Sequence, residues 1–361
     1  MKSTRSATRS TTRCASSAGN GSGKKNGNSM ALPDLLVEAD KVSEGLVGIR
    51  PESTTLTAFD RTGWTEFTGR HTIDPRAAGA YLPETFSAAI DMQAPFADVT
   101  TLHEYYGHGL FVEHTDLGKR LRTNPTMTPR ERGLYEGIAM LLEEAFAEGL
   151  GFGDRFAAKM EGMRQEVVAV FDHYRARAER HGLQYLLYAA GFPKIYDEER
   201  ALRLLRLNFP GDWRDVDFAL LYGSRKPHSD IDYLVVSRGK SVQRVDDVLD
   251  IAVVNQQEFL ERLSWLDIAA TDPLFTGTPI YGDVARIKTL KRKALNTPIT
   301  PRLISRHVAA GEEQRRIASR DGHGLNRATA ASYASSYLAA TFLMRQGKKV
   351  LTKHDIDTYL V

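Results

Sequence analysis

Near Asn-Phe-Pro-Gly-Asp-Trp (208–213) the hydrophobic period of this chain changes, and the change limits the folds open to it. Before that point a mixed stretch to about Tyr81, with β-leaning pieces such as Thr54–Ala58, gives way from Asp98 to apolar residues at helical spacing. After it, short runs of β-branched and apolar residues alternate with turns: VDFALLY (216–222), DYLVVS (232–237) and LDIAVVN (249–255). A chain of 361 residues is also too long for one ordinary core. The expectation is an α+β protein with a basic tail over 1–30, a mostly helical domain over 31–200, a strand-containing α/β domain over 201–300, and a C-terminal helical segment over 301–361.

The tail holds six Lys/Arg, no acid and the single cysteine, Cys14. It lacks the apolar stretch of a secretory signal and reads as a disordered segment, or as an over-extended start with Met30 as initiator. One cysteine permits no intrachain disulfide, which fits a reducing cytoplasm. No apolar run approaches the ~20 residues that span a bilayer. A formal charge of +3 points only faintly to a polyanionic partner.

In the helical half, Asp98–Val112 and Arg132–Leu150 read as helices, and 115–132 between them as a polar loop. The first carries His103, Glu104 and His108 in TLHEYYGHGL. Zinc takes neutral imidazole nitrogens, and a glutamate beside them can serve as a proton acceptor. The histidines stand at i and i+5, which on a regular helix puts His108 about 140° round from His103. A one-residue π-bulge, eased by Gly107, would return both rings to one face. A third ligand is expected from LYEGIAMLLEEAFAEGL, where Glu136 and Glu143 share a face and Glu144 and Glu148 fall further round. Carboxylates on so apolar a helix need a charge or a metal beside them. Tyr105 and Tyr106 are candidate oxyanion donors, with aromatic packing as the commoner fate of such residues.

HEYYGH resembles the HExxGH signature of dipeptidyl peptidase III, and EEAFAE resembles that family's second motif, which would make Glu144 the ligand. YEGIAMLLEE resembles the EGxAxxxEE helix of other gluzincin-like zinc peptidases, which favours Glu136. Glu136 ranks first, with Glu143 or Glu144 second. The resemblance spans residues 95–150 and implies a zinc ion, a peptide substrate and Glu104 as base.

In LLYGSRKPHSDIDYLVVS a strand ends in Gly223-Ser224, and the next opens at Asp230-x-Asp232, whose side chains share a face. Two such carboxylates suit Mg²⁺ ions that bridge triphosphate oxygens. Gly223 admits a phosphate close to the backbone, and the Ser224 hydroxyl, Arg225 and Lys226 can meet its charge. This resembles the hG[GS]…DhDh signature of the nucleotidyltransferase superfamily, in which Asp250 matches the third carboxylate. The loop of residues 225–229 is shorter than is usual in that family. The resemblance implies Mg²⁺, a nucleoside triphosphate as donor, and a small molecule, protein or tRNA as acceptor. The Ala-rich helices at 301–321 and 325–346 could present the acceptor or form a homodimer. Competing readings keep one domain as a binding module only, or make the chain a non-catalytic regulatory or antitoxin-like partner.

Overall fold

The computed structural model describes residues 30–195, 197–224, 226, 229–320 and 324–360, with the backbone alone for 324–326. The fold class is α+β, and the chain divides into two compact units between residues 195 and 196. Cys14 and the rest of the basic tail lie outside the described residues.

The first unit opens with α1 (Leu32–Val47), β1 (Thr55–Phe59) and α2 (Arg61–His71), followed by β2 (Gly79–Leu82) and β3 (Ser87–Asp91). The three strands form a small sheet in the order β1-β3-β2; β1 runs parallel to β3, and β2 is an antiparallel edge. A continuous helical run follows: α3 (Ala97–Thr101), a π-helical segment (Leu102–His108) and α4 (Gly109–His114). Then come α5 (Asp116–Leu121), α6 (Pro129–Gly149), α7 (Gly153–Glu161), α8 (Gln165–His181) and α9 (Leu183–Ala189). The stretch expected to be a loop thus holds α5, whose start Thr115 caps by accepting the N–H of Gly118 at 2.9 Å. Pro129 belongs to α6, where a missing N–H costs nothing in the first turn, and Thr128 and Glu131 close a capping box around it. The core lies where the π segment meets α6: Tyr106, Leu110, Leu142 and Phe146 are fully buried, and the Tyr106 and Phe146 rings sit 4.8 Å apart.

The second unit begins with α10 (Glu198–Asn208), so the division falls slightly before the expected boundary at 200/201. Leu204 and Leu205 of α10 are buried, and Tyr233 donates its hydroxyl to the Ala201 carbonyl at 3.0 Å. Five strands follow: β4 (Val216–Tyr222), β5 (Ile231–Ser237), β6 (Val242–Val245), β7 (Leu249–Asn255) and β8 (Thr278–Gly282), in the order β6-β7-β5-β4-β8. β5 and β7 are parallel, and the other pairings are antiparallel. Helices α11 (Gln256–Ser264), α12 (Ile268–Thr276), α13 (Val284–Asn296), α14 (Pro301–Arg320), α15 (Gly324–Arg345) and α16 (Lys353–Leu360) complete it. Residues 301–360 do not stand apart as a segment of their own. Leu303, Tyr337 and Leu343 share one core with Phe218, Leu220 and Leu234 of the sheet. Among the described residues no helix is long and apolar enough to cross a membrane.

Candidate functional sites

The π segment brings the two histidines together. With i→i+5 bonding His108 returns beneath His103, and the ring centroids stand 4.6 Å apart. Gly107 serves a purpose beyond easing the bulge. A Cβ there would come within 2.9–3.0 Å of the backbone and side chain of Ala139, so the glycine lets the segment press against α6. That approach delivers Glu136. Its Oε2 lies 3.7 Å from Nε2 of His103 and 3.6 Å from Nε2 of His108, and the three ligand atoms all fall within 4.8 Å of one another. Tyr135 stacks on His108 with centroids 4.0 Å apart, which fixes that ring.

The other glutamates separate from this group. Glu143 is buried and turns one oxygen to Nδ1 of His103 at 2.9 Å and the other to the Lys159 ammonium at 2.5 Å. It therefore faces the back of the imidazole, away from the nitrogen that Glu136 approaches. Glu144 points elsewhere, with Arg175 at 3.3 Å, because one residue further along α6 is about 100° further round. The structure thus assembles His103, His108 and Glu136, and it leaves Glu143 and Glu144 out of the group. Burial pushes the carboxyl of Glu104 above its ordinary range. Burial acts the same way on Glu136, but both histidines outweigh it and hold that carboxyl well below the usual range. Tyr106 is not an oxyanion donor: its hydroxyl donates to the Leu36 carbonyl and to Asp40 inside the core.

Beside the group opens a cleft of about 990 Å³, lined by His103, Glu104, Glu136, Glu143, Lys159 and the start of β2. Gly79 of β2 abuts Glu104 so closely that a Cβ would sit 2.7 Å from its Cγ. Sequence reasoning missed Lys159 and Tyr135. Tyr135 was legible as the neighbour of Glu136, whereas Lys159 lies on a helix that only the tertiary fold brings near.

The second unit places its acids in a row. Tyr222, Asp232 and Asp250 are register partners across β4, β5 and β7, so their side chains share one face of the sheet. The same face carries Leu220 and Leu234, against which the C-terminal helices pack. Gly223 has φ +80°, and a Cβ there would fall on the Asp232 carboxylate, so both conformation and contact require glycine. Asp230 is exposed just ahead of β5. Burial, and after it the charge of Asp230, raises the Asp250 carboxyl, and Gln243 donates to that carboxylate at 3.2 Å. Ser224 and Lys226 are exposed in the connecting loop, where the Ser229 hydroxyl donates to both their carbonyls. Arg225 lies outside the described residues. Tyr222 was overlooked in the sequence, although it directly precedes Gly223. Burial raises its hydroxyl, with the Tyr333 hydroxyl, Asp232 and Asp250 adding to the effect.

No family model matches this chain, and no curated protein matches it. Among solved structures it bears a weak likeness to a nucleotidyltransferase-like protein from Exiguobacterium sibiricum. The identity is 19%, the match covers 42% of this chain and 58% of that one, and the TM-score is 0.26. The chain therefore spans less than two thirds of that protein's length.

Proposed function

We propose that the two units carry two metal-dependent activities, peptide-bond hydrolysis in the first and nucleotidyl transfer in the second. The hydrolytic reading rests on one observation, the convergence of His103 Nε2, His108 Nε2 and a Glu136 oxygen. Tetrahedral zinc with bonds of 2.0–2.2 Å needs donors about 3.4 Å apart, and the separations of 3.6 and 3.7 Å fit that need. Zinc held there would supply Lewis acidity toward a substrate carbonyl. The protein's own residues do the rest. Glu143 accepts the Nδ1–H of His103 and so presents Nε2 to the group. Glu104, its carboxyl raised by burial, takes a proton from water and returns it to the leaving amine. The unpaired edge of β2 offers backbone groups to an extended peptide alongside Glu104.

Elemental analysis after chelator-free purification tests this reading. One zinc per chain is expected in the wild type, lost in His103→Ala and His108→Ala and retained in Glu104→Gln without hydrolysis. Wild-type protein free of zinc would remove it.

The second reading is favoured by the aligned Asp232 and Asp250 with Asp230 beside them. Carboxylates on two adjacent strands, with a third just ahead of one of them, are hard oxygen donors of the kind Mg²⁺ takes. Such ions would neutralise triphosphate oxygens. Gly223 leaves room for a phosphate against the backbone, and Asp250 accepts the proton of an acceptor hydroxyl as its oxygen bonds to the α-phosphorus and pyrophosphate leaves. The acceptor is a small molecule, protein or tRNA, met on the sheet face that α15 also covers. Calorimetry with a non-hydrolysable triphosphate and Mg²⁺ should detect binding in the wild type and none in Asp232→Asn. Equal affinity in the two proteins would refute this reading.

A further inference from the structure

Most cations that line the first unit's cleft are engaged inside the protein. Lys159 donates to Glu143 at 2.5 Å, and Asp74 holds Arg76 at two points, 2.8 and 3.0 Å. Arg132 differs: it lines the cleft, is exposed, and its guanidinium has no hydrogen-bond, ion-pair or ring partner among the described residues. Two carboxylates of the cleft, Glu104 and Glu166, also have no side-chain hydrogen bond or ion pair among the described residues, and Glu166 stands in the first turn of α8.

Arg132 stands four residues before Glu136, on the same face of α6 and about 6 Å away in helix rise. The same cleft is lined in large part by apolar side chains, including Met127, Met140, Met163 and Val167. A free guanidinium in such surroundings selects a carboxylate, which it can grip through two parallel N–H donors. The positive end of the α6 dipole, one turn away, acts with the same sign.

We propose that Arg132 binds a carboxylate of the peptide substrate, so that the cleft prefers peptides with a free carboxylate beside an apolar residue. The proposal rests on the peptidase reading of the same site. An extended chain advances about 3.5 Å per residue, so 6 Å covers one to two residues. The carboxylate therefore belongs to the first or second residue beyond the bond that is cut. Either the chain terminus or an acidic side chain can supply it.

Calorimetry on the full-length Glu104→Gln protein avoids turnover and tests the proposal with three peptides. One has a free C-terminal leucine, one is its C-terminal amide, and one is an amide with glutamate in the last position. The free acid should bind about 10- to 100-fold more tightly than the plain amide, the range of one charge-assisted pair. Arg132→Gln should abolish that gap, and Arg132→Lys should restore part of it. Tight binding of the glutamyl amide as well would assign the side chain as an equal source of the carboxylate. Equal binding of acid and plain amide, with the glutamyl amide no tighter, overturns the proposal and leaves the peptide reading standing. A gap that survives Arg132→Gln does the same. If none of the three binds, the peptide reading falls and the role of Arg132 falls with it.

Discussion

Glu143 sits between an imidazole and an ammonium: one oxygen lies 2.9 Å from Nδ1 of His103 and the other 2.5 Å from Lys159. The carboxylate thereby turns Nδ1 of His103 toward itself and leaves Nε2 to face Glu136. Glu143→Gln should weaken zinc binding by about 10- to 100-fold, the usual cost of losing such a partner, while Glu136→Gln should weaken it more. Competition against a chelator of known affinity measures both. Unchanged affinity in Glu143→Gln would show that the ring needs no such support.

Gly107 is where the π segment touches α6. In Gly107→Ala the added methyl would press on Ala139 at 2.9–3.0 Å, against helix backbone that cannot easily yield. A loss of about 1–3 kcal/mol in stability is expected from overpacking. Metal affinity should fall as well, since the same shift carries both histidines away from Glu136. Urea titration and zinc binding of one preparation test both effects, and a variant that loses neither would place the contact elsewhere.

Asp250 carries charge at a cost, because burial and Asp230 both raise its carboxyl. For an acid shifted upward, the penalty is absent at low pH and grows as pH rises through the unfolded value near 3.9. Asp250→Asn should therefore melt at a higher temperature than the wild type at pH 7 without metal, with the difference vanishing near pH 3. A lower melting temperature at pH 7 would contradict the crowding of these acids.

Asp246 behaves in the opposite sense. Burial raises its carboxyl, but the N–H groups of Val248 and Leu249, each 2.9 Å away, and Arg244 hold it below the ordinary range. Its stabilisation is present above the unfolded value near 3.9 and is lost as pH falls through the lower folded value. Hydrogen exchange at Val248 and Leu249 should thus quicken on acidification by more than the change in intrinsic rate. Asp246→Asn should remove most of that excess. An identical pH profile in both proteins would assign the turn's stability to other contacts.

What the sequence determined by itself was local and periodic. The runs 216–222 and 249–255 are β4 and β7 to the residue, and the Ala-rich pair is α14 and α15 within a residue or so at each end. Alternation and helical spacing are written in neighbouring residues, and here packing agrees with them. The five-residue histidine spacing pointed to a π-bulge as the turn that returns both rings to one face, and the π segment lies there. Other features depended on what came to lie nearby. Thr115 begins α5 inside an apparent loop. Glu143 and Glu136 share a face of α6, yet one meets the back of His103 and the other its front. Tyr222 joins Asp232 and Asp250 only once β4, β5 and β7 are paired in register. Lys159 reaches Glu143 from a different helix. These relations link residues whose positions along the chain carry no common period, so only the tertiary structure decided them.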